Sequence, residues 1–237
     1  MTNDAGLETA VKNFYGDIKF PGPYTIDDLE CYDEFIVNPY IKLYVQAGQN
    51  RSRILDLGCG TGFLAHLLAR HYPNSQVDAL DFSSSIEYAK QFGDDNNIKN
   101  VTYHNTNFFD FDPGYKYDLI VSNGVVHHMP RYGSAVQRIE DLLVDSGDAV
   151  IGIYNRYGKI AKRFFSLQYR SALLYQDQEQ APFETTFSNH EFMSLFNRFQ
   201  LRKVYPSLCN HGVDVCNLLN YNNGGLTVYH LNKKEIQ

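Results

Sequence analysis

From Arg53 to Tyr154 the chain alternates short, nearly continuous apolar runs with longer stretches whose apolar residues return every three or four positions. "RILDL" (53–57), "QVDALD" (76–81), "VTYHN" (101–105), "YDLIVS" (117–122) and "DAVIGIY" (148–154) have the length and composition of strands. Between them, "GFLAHLLARH" (62–71) sets Leu64, Leu67 and Leu68 on one side of a helix. "SSIEYAKQF" (84–92) and "SAVQRIEDLL" (134–143) read as further helices. Strands separated by helices of this length form βαβ units, so the pattern predicts an α/β fold around a parallel sheet.

Both ends depart from this rhythm. Residues 1–50 read as helical with a Pro/Gly break at "FPGPY" (20–24), and are expected to cap the domain formed by residues 51–237. Residues 157–187 read as an insertion, beginning with the aromatic and basic helical stretch "YGKIAKRFFSLQYRSALLY" (157–175) that carries Lys159, Lys162, Arg163 and Arg170. A helix over 188–199 follows, with Ser188 as its N-cap. "LRKVYP" (201–206) and "LTVYHLN" (226–232) supply two closing strands.

Composition narrows the function classes. A formal charge of −6 weighs against a general nucleic-acid binder, which carries a basic excess on its binding face. The N-terminus lacks the basic and apolar regions of a secretory signal, and no run approaches the ~20 apolar residues of a membrane span. Cys31, Cys59, Cys209 and Cys216 are too scattered for a zinc site, so no metal is expected, and they suit reduced thiols in a cytoplasmic protein. His211 and Asp214 stand in a loop before the last strand, again without metal spacing.

The chemistry concentrates in "DLGCGTG" (56–62), between the first strand and its helix. Gly58, Gly60 and Gly62 permit positive φ and remove the Cβ that would hold a ligand away, although Gly62 also suits close helix–strand packing. Ligands of open α/β sheets bind at the carboxyl ends of the strands. The spacing G-x-G-x-G differs from the dinucleotide pattern G-x-G-x-x-G, and Asp56 in front of it repels an anion while tolerating an ammonium or sulfonium. The second strand ends in Asp81, placed to accept the two hydroxyls of a ribose. A nucleoside with a cationic, zwitterionic far end fits both features.

The run "ILDLGCGTGFLAHLLAR", then "VDALDFSSSIEYAK", then "YDLIVSNGVVHHMP" resembles the class I S-adenosylmethionine-dependent methyltransferases over residues 53–154. The resemblance implies a Rossmann-like seven-stranded sheet of order 3-2-1-4-5-7-6, with strand 7 antiparallel and helices on both faces. It implies S-adenosyl-L-methionine as cofactor, with Gly58 and Gly60 against its methionine part, Asp56 near its ammonium, Asp81 on its ribose and Phe82 beside its adenine; Cys59 belongs to the same cofactor loop and also suits a small packing residue. The family often has an acidic residue after the third strand to read the adenine amino group; here Asn107 stands there, followed by Phe108. Ser122, Asn123 and Gly124 close the fourth strand beside the expected methyl donor, and Tyr15 belongs to the segment expected to roof it.

His127 and His128 follow within one turn. An ordinary imidazole pKa of ~6.5 suits proton removal at neutral pH. Since adjacent residues on a helical turn point about 100° apart, one histidine is expected to face the pocket, with His128 the choice. Tyr154 and Arg156 leave the fifth strand on the same side, and Arg156 has the fork to clamp a carboxylate or phosphate, or to pair with a surface acid. The leading expectation is methyl transfer to O or N of a small molecule, anionic or aromatic, by a monomer or homodimer. A tRNA or protein methyltransferase and a non-catalytic cofactor-binding activator are the alternatives.

Overall fold

Successive side chains along a strand point to opposite faces, so strands with few polar positions need cover on both sides. The computed structural model describes residues 4–34, 38–164, 180–219 and 225–235, and shows how that cover is made. Strands β1 (Arg53–Leu57), β2 (Gln76–Asp81), β3 (Val101–Asn105), β4 (Tyr117–Asn123), β5 (Leu143–Tyr154), β6 (Phe199–Tyr205) and β7 (Leu226–Lys233) form one sheet of order β3-β2-β1-β4-β5-β7-β6. The first five pair in parallel, and β7 runs antiparallel to both its neighbours. This is the architecture implied by the resemblance.

Helices α1 (Asp4–Asp17), α2 (Ile26–Glu34), α3 (Pro39–Gly48), α4 (Phe63–His71), α5 (Ser85–Asp95), α6 (Tyr132–Leu142), α7 (Arg156–Phe164), α8 (Asn189–Leu195) and α9 (Val213–Leu219) complete the described elements, with a 3-10 turn at Val126–His128. Ile54, Val77, Leu119, Val121 and Val150 pack with Leu43 and Tyr44 of α3 and Leu64 and Leu68 of α4. Their neighbours Leu55, Ile120, Ala149 and Ile151 pack on the other face with Val136 and Ile139 of α6 and Phe192 of α8.

Local signals set the boundaries. Asn38 accepts the Tyr40 amide and Pro39 opens α3, while Ser188 and Glu191 form a reciprocal capping box at α8. The main departure from the sequence pattern is β5, which begins at Leu143 instead of 148. Leu143 pairs with Tyr117, and the ladder shifts register before Leu119 meets Asp148. The intervening "DSG" (145–147) is a bulge without a β4 partner, with Ser146 at φ 59°, and its turn composition hides the continuation of the strand on either side. Of the first fifty residues, α3 is built into the core, whereas α1 lies across the carboxyl ends of the strands. Of the 157–187 stretch, 165–179, including Arg170, lies outside the described residues. Among the described residues, no helix is long and apolar enough to cross a membrane.

Candidate active site

The parallel strands end together on one edge of the sheet, and the loops leaving them surround an apolar crevice of about 870 Å³, its open mouth included. Leu57, Gly58 and Gly60 line it from the β1 loop, Leu80, Asp81 and Phe82 from β2, Asn107 and Phe108 from β3, and Asn123 and Gly124 from β4. His128 and, from α1, Tyr15 complete the expected residues that reach it.

The glycine loop is tightly held. Gly58 and Gly60 have φ of 73° and 54°, and the Leu80 carbonyl accepts the amides of Gly58 and Cys59 at 2.8 and 3.0 Å. A Cβ on Gly60 would lie 2.2 Å from the Phe20 carbonyl oxygen, because the N-terminal segment crosses directly over the loop. The Phe20 carbonyl also accepts the Thr61 amide at 3.1 Å. Gly62 packs against Ala89 and His66, a helix-packing role.

Two carboxylates adjoin this loop, Asp56 buried and Asp81 half-buried. Asp81 accepts the Gly60 amide through Oδ2 and the Ser83 amide through Oδ1, both at 2.8 Å. Burial nevertheless pushes its pKa up. Asp56 is 2% exposed, and its Oδ2 has no hydrogen-bond partner. Burial, and then the charge of Asp81, push its pKa up to about 7, while the Ala65 amide holds it down. Asp81 lines the crevice and keeps acceptor capacity beyond its amides, while the orphaned oxygen of Asp56 lies behind the wall, where a nearby cation would offset the cost of ionising it. A nucleoside bearing an ammonium group therefore fits the residues present.

The end of the crevice at His128 is built by chain segments distant in sequence. The Phe183 carbonyl accepts from His128 Nδ1 at 2.8 Å, and the Thr185 amide donates to the His127 carbonyl at 2.8 Å. A carbonyl only accepts, so Nδ1 carries the proton and Nε2 the lone pair. His127 is fully buried against Tyr154, ring centroids 4.4 Å apart, with neither ring nitrogen hydrogen-bonded. Burial, followed by His128 and Lys159, holds its pKa well below the ordinary value, so it is neutral. His127, His128 and Glu184 bring ligand-capable atoms within 4.8 Å of one another, and Lys159 pairs with Glu184 at 2.8 Å.

Several expected residues stand back from the cavity wall. Ser122 Oγ donates to the Leu57 carbonyl and ties β4 to β1. Cys59 is a buried packing residue whose thiol pKa burial pushes up. Tyr154 lies behind His127, with Lys159 Nζ 4.9 Å above its ring. Arg156 pairs with Glu191 at 2.9 Å, both half-exposed, and donates to the Thr186 carbonyl. Glu8, Val11, Phe109, Val125, Met129 and Pro130 line the cavity without having been singled out in the sequence. Glu8 and Val11 share the i, i+3, i+7 stripe of α1 with Tyr15, a signal that was present but weak beside the glycine loop.

The sheet order and the crevice at its carboxyl edge define the fold of the class I S-adenosylmethionine-dependent methyltransferases. A family model described as "Methyltransferase domain" matches residues 49–200, and the chain belongs to that family. A malonyl-[acyl-carrier protein] O-methyltransferase of Ilyobacter polytropus is 35% identical over 85 residues, covering 35% of this chain and 31% of that protein. A trans-aconitate 2-methyltransferase of Mycobacterium tuberculosis is 32% identical over 107 residues, covering 44% and 38%. The matched stretch thus spans about a third of these relatives' own lengths. The solved structure of the plantazolicin methyltransferase BpumL in complex with SAH aligns over 98% of both chains, with a TM-score of 0.62 and 16% identity.

Proposed function

We propose that this chain transfers the methyl group of S-adenosylmethionine to an oxygen or nitrogen of a small molecule. The observation that carries the reading is the pair of carboxylates at the glycine loop, Asp56 buried with an orphaned oxygen and Asp81 half-buried and lining the crevice. When bound, the cofactor supplies a methyl group already activated by a sulfonium. Asp56 holds its ammonium end, Asp81 accepts the ribose hydroxyls, and Phe82 and Phe108 flank the adenine. Asn123, fixed by the Tyr44 hydroxyl at 3.0 Å, and Gly124 shape the wall beside the reacting centre.

His128 receives the acceptor's proton at Nε2, with the Phe183 carbonyl keeping the ring in the required tautomer. Neutral His127, backed by Tyr154, forms the apolar support beneath it. Arg156, engaged by Glu191, stays outside this machinery. Helix α1 acts as a lid that encloses the crevice, excludes water and aligns the acceptor; alignment supplies ~7–11 kcal/mol of such barriers and a positioned base a factor of about 10²–10⁴. The relatives named for trans-aconitate and malonyl-carrier substrates support a small or carrier-linked acid as acceptor.

Calorimetry with S-adenosylhomocysteine, followed by transfer from methyl-labelled cofactor to metabolite, peptide and RNA pools, tests the reading. Binding and label in the metabolite pool are expected. Label confined to RNA or peptide overturns the acceptor class, binding without transfer to any pool overturns the activity, and no binding overturns the cofactor assignment.

A further inference from the structure

The adenine end of the crevice lacks the acid that commonly follows the third strand: "HNTNFF" (104–109) offers Asn107. Its orientation is set from two sides. Asn107 Oδ1 accepts the Phe109 amide at 2.9 Å, and Nδ2 donates to Glu8 Oε2 at 3.4 Å. A backbone N–H can only donate and a carboxylate can only accept, so flipping the amide would break both contacts. Asn107 therefore spends its oxygen on its own turn and presents N–H groups toward α1.

The carboxylate on that wall is Glu8. It lines the crevice together with Asn107, Phe108 and Phe109. Arg131, itself stacked 3.8 Å over the Phe109 ring, donates to both Glu8 oxygens, at 2.6 and 3.3 Å. These contacts fix the carboxylate in place without exhausting it, since two carboxylate oxygens offer about four acceptor sites. Held at both oxygens, the group can accept one further N–H without reorganising.

Resting on the reading of this crevice as the cofactor site, we infer that Glu8 of α1 reads the adenine amino group, replacing the missing acid after β3. A base with a carbonyl oxygen in place of the amino group would turn a lone pair toward the carboxylate and be rejected. Adenine selectivity then comes from the N-terminal helix, and the same contact ties cofactor binding to closure of α1.

The test compares S-adenosylhomocysteine with S-inosylhomocysteine, its analogue carrying oxygen for the amino group, by calorimetry on the wild-type chain, Glu8→Ala and Glu8→Gln. A hydrogen bond to a charged group is worth ~1.5–3 kcal/mol, roughly 10–100-fold. The wild type is expected to favour the adenosyl ligand by at least about tenfold, with the ratio falling close to one in both variants. Because the ratio is the readout, a general loosening of α1, which weakens both ligands alike, leaves it unchanged. An unchanged ratio in the variants, or no preference in the wild type, overturns the role of Glu8. Failure of the wild type to bind either ligand overturns the cofactor assignment beneath it.

Discussion

His128 Nδ1 lies 2.8 Å from the carbonyl oxygen of Phe183, a residue 55 positions further along the chain. That bond selects the tautomer with its lone pair on Nε2, as a proton acceptor requires. His128→Ala should lower kcat by about 10²–10⁴ while changing S-adenosylhomocysteine affinity by less than about threefold. Turnover of the acceptor found in the labelling screen, set beside calorimetry, checks this. Equal losses of both would assign His128 a packing role.

Asp81→Asn removes the charge that accepts the ribose hydroxyls and keeps the side chain's size, while its single oxygen can hold only one of the Gly60 and Ser83 amides. Hydrogen bonds to a charged acceptor contribute ~1.5–3 kcal/mol each, so cofactor affinity should fall by at least about tenfold. A melting temperature within a few degrees of wild type would show that the loss is one of binding.

Cofactor affinity should depend on pH through Asp56. Its pKa is pushed up to about 7 in the free protein, and an ammonium is held by the ionised form. Affinity should therefore fall as pH drops below about 7 and level off above it. Calorimetry from pH 5.5 to 8.5 reads the profile, and Asp56→Asn should flatten it at low affinity.

The same group bears on stability with the opposite sign. The folded pKa of Asp56 lies above its ordinary value of 3.8. Between those two pH values the folded state holds the proton more tightly than the unfolded chain, so stability is lost as pH rises through the window. The cofactor-free Asp56→Asn variant should melt higher than wild type at pH 8, with the gain shrinking toward pH 4. Thermal melts across that range measure it.

Gly60→Val should disturb the lid as well as the ligand. The new side chain meets the Phe20 carbonyl at 2.2 Å from a backbone at φ 54°. Strain of this kind costs ~1–3 kcal/mol, or several degrees of melting temperature in a chain this long. Faster proteolysis within residues 4–24, together with weakened cofactor binding, is the expected signature.

The strands β1 to β4 and the helices between them were legible in the sequence to within a few residues, because apolar periodicity and chain geometry act over a single element. The loop residues Gly58, Gly60, Asp81 and Phe82 were legible for a related reason: a strand end followed by a helix puts them on the carboxyl edge by local geometry alone. The start of β5 was not, since the polar "DSG" reads as a turn, and only the pairing of Leu143 with Tyr117 of β4, a contact remote in sequence, carries the strand across that bulge.

What the chain order determined by itself was the layered α/β sheet and which edge bears the crevice, both consequences of short-range alternation. Tertiary structure alone decided which polar atoms stay unsatisfied there. The orphaned oxygen of Asp56, the carbonyl that orients His128, the pairing of Arg156 with Glu191 and the arrival of Glu8 beside Asn107 all depend on segments tens of residues apart. Hydrogen bonding and desolvation are fixed by neighbours in space, and linear spacing carries no record of those.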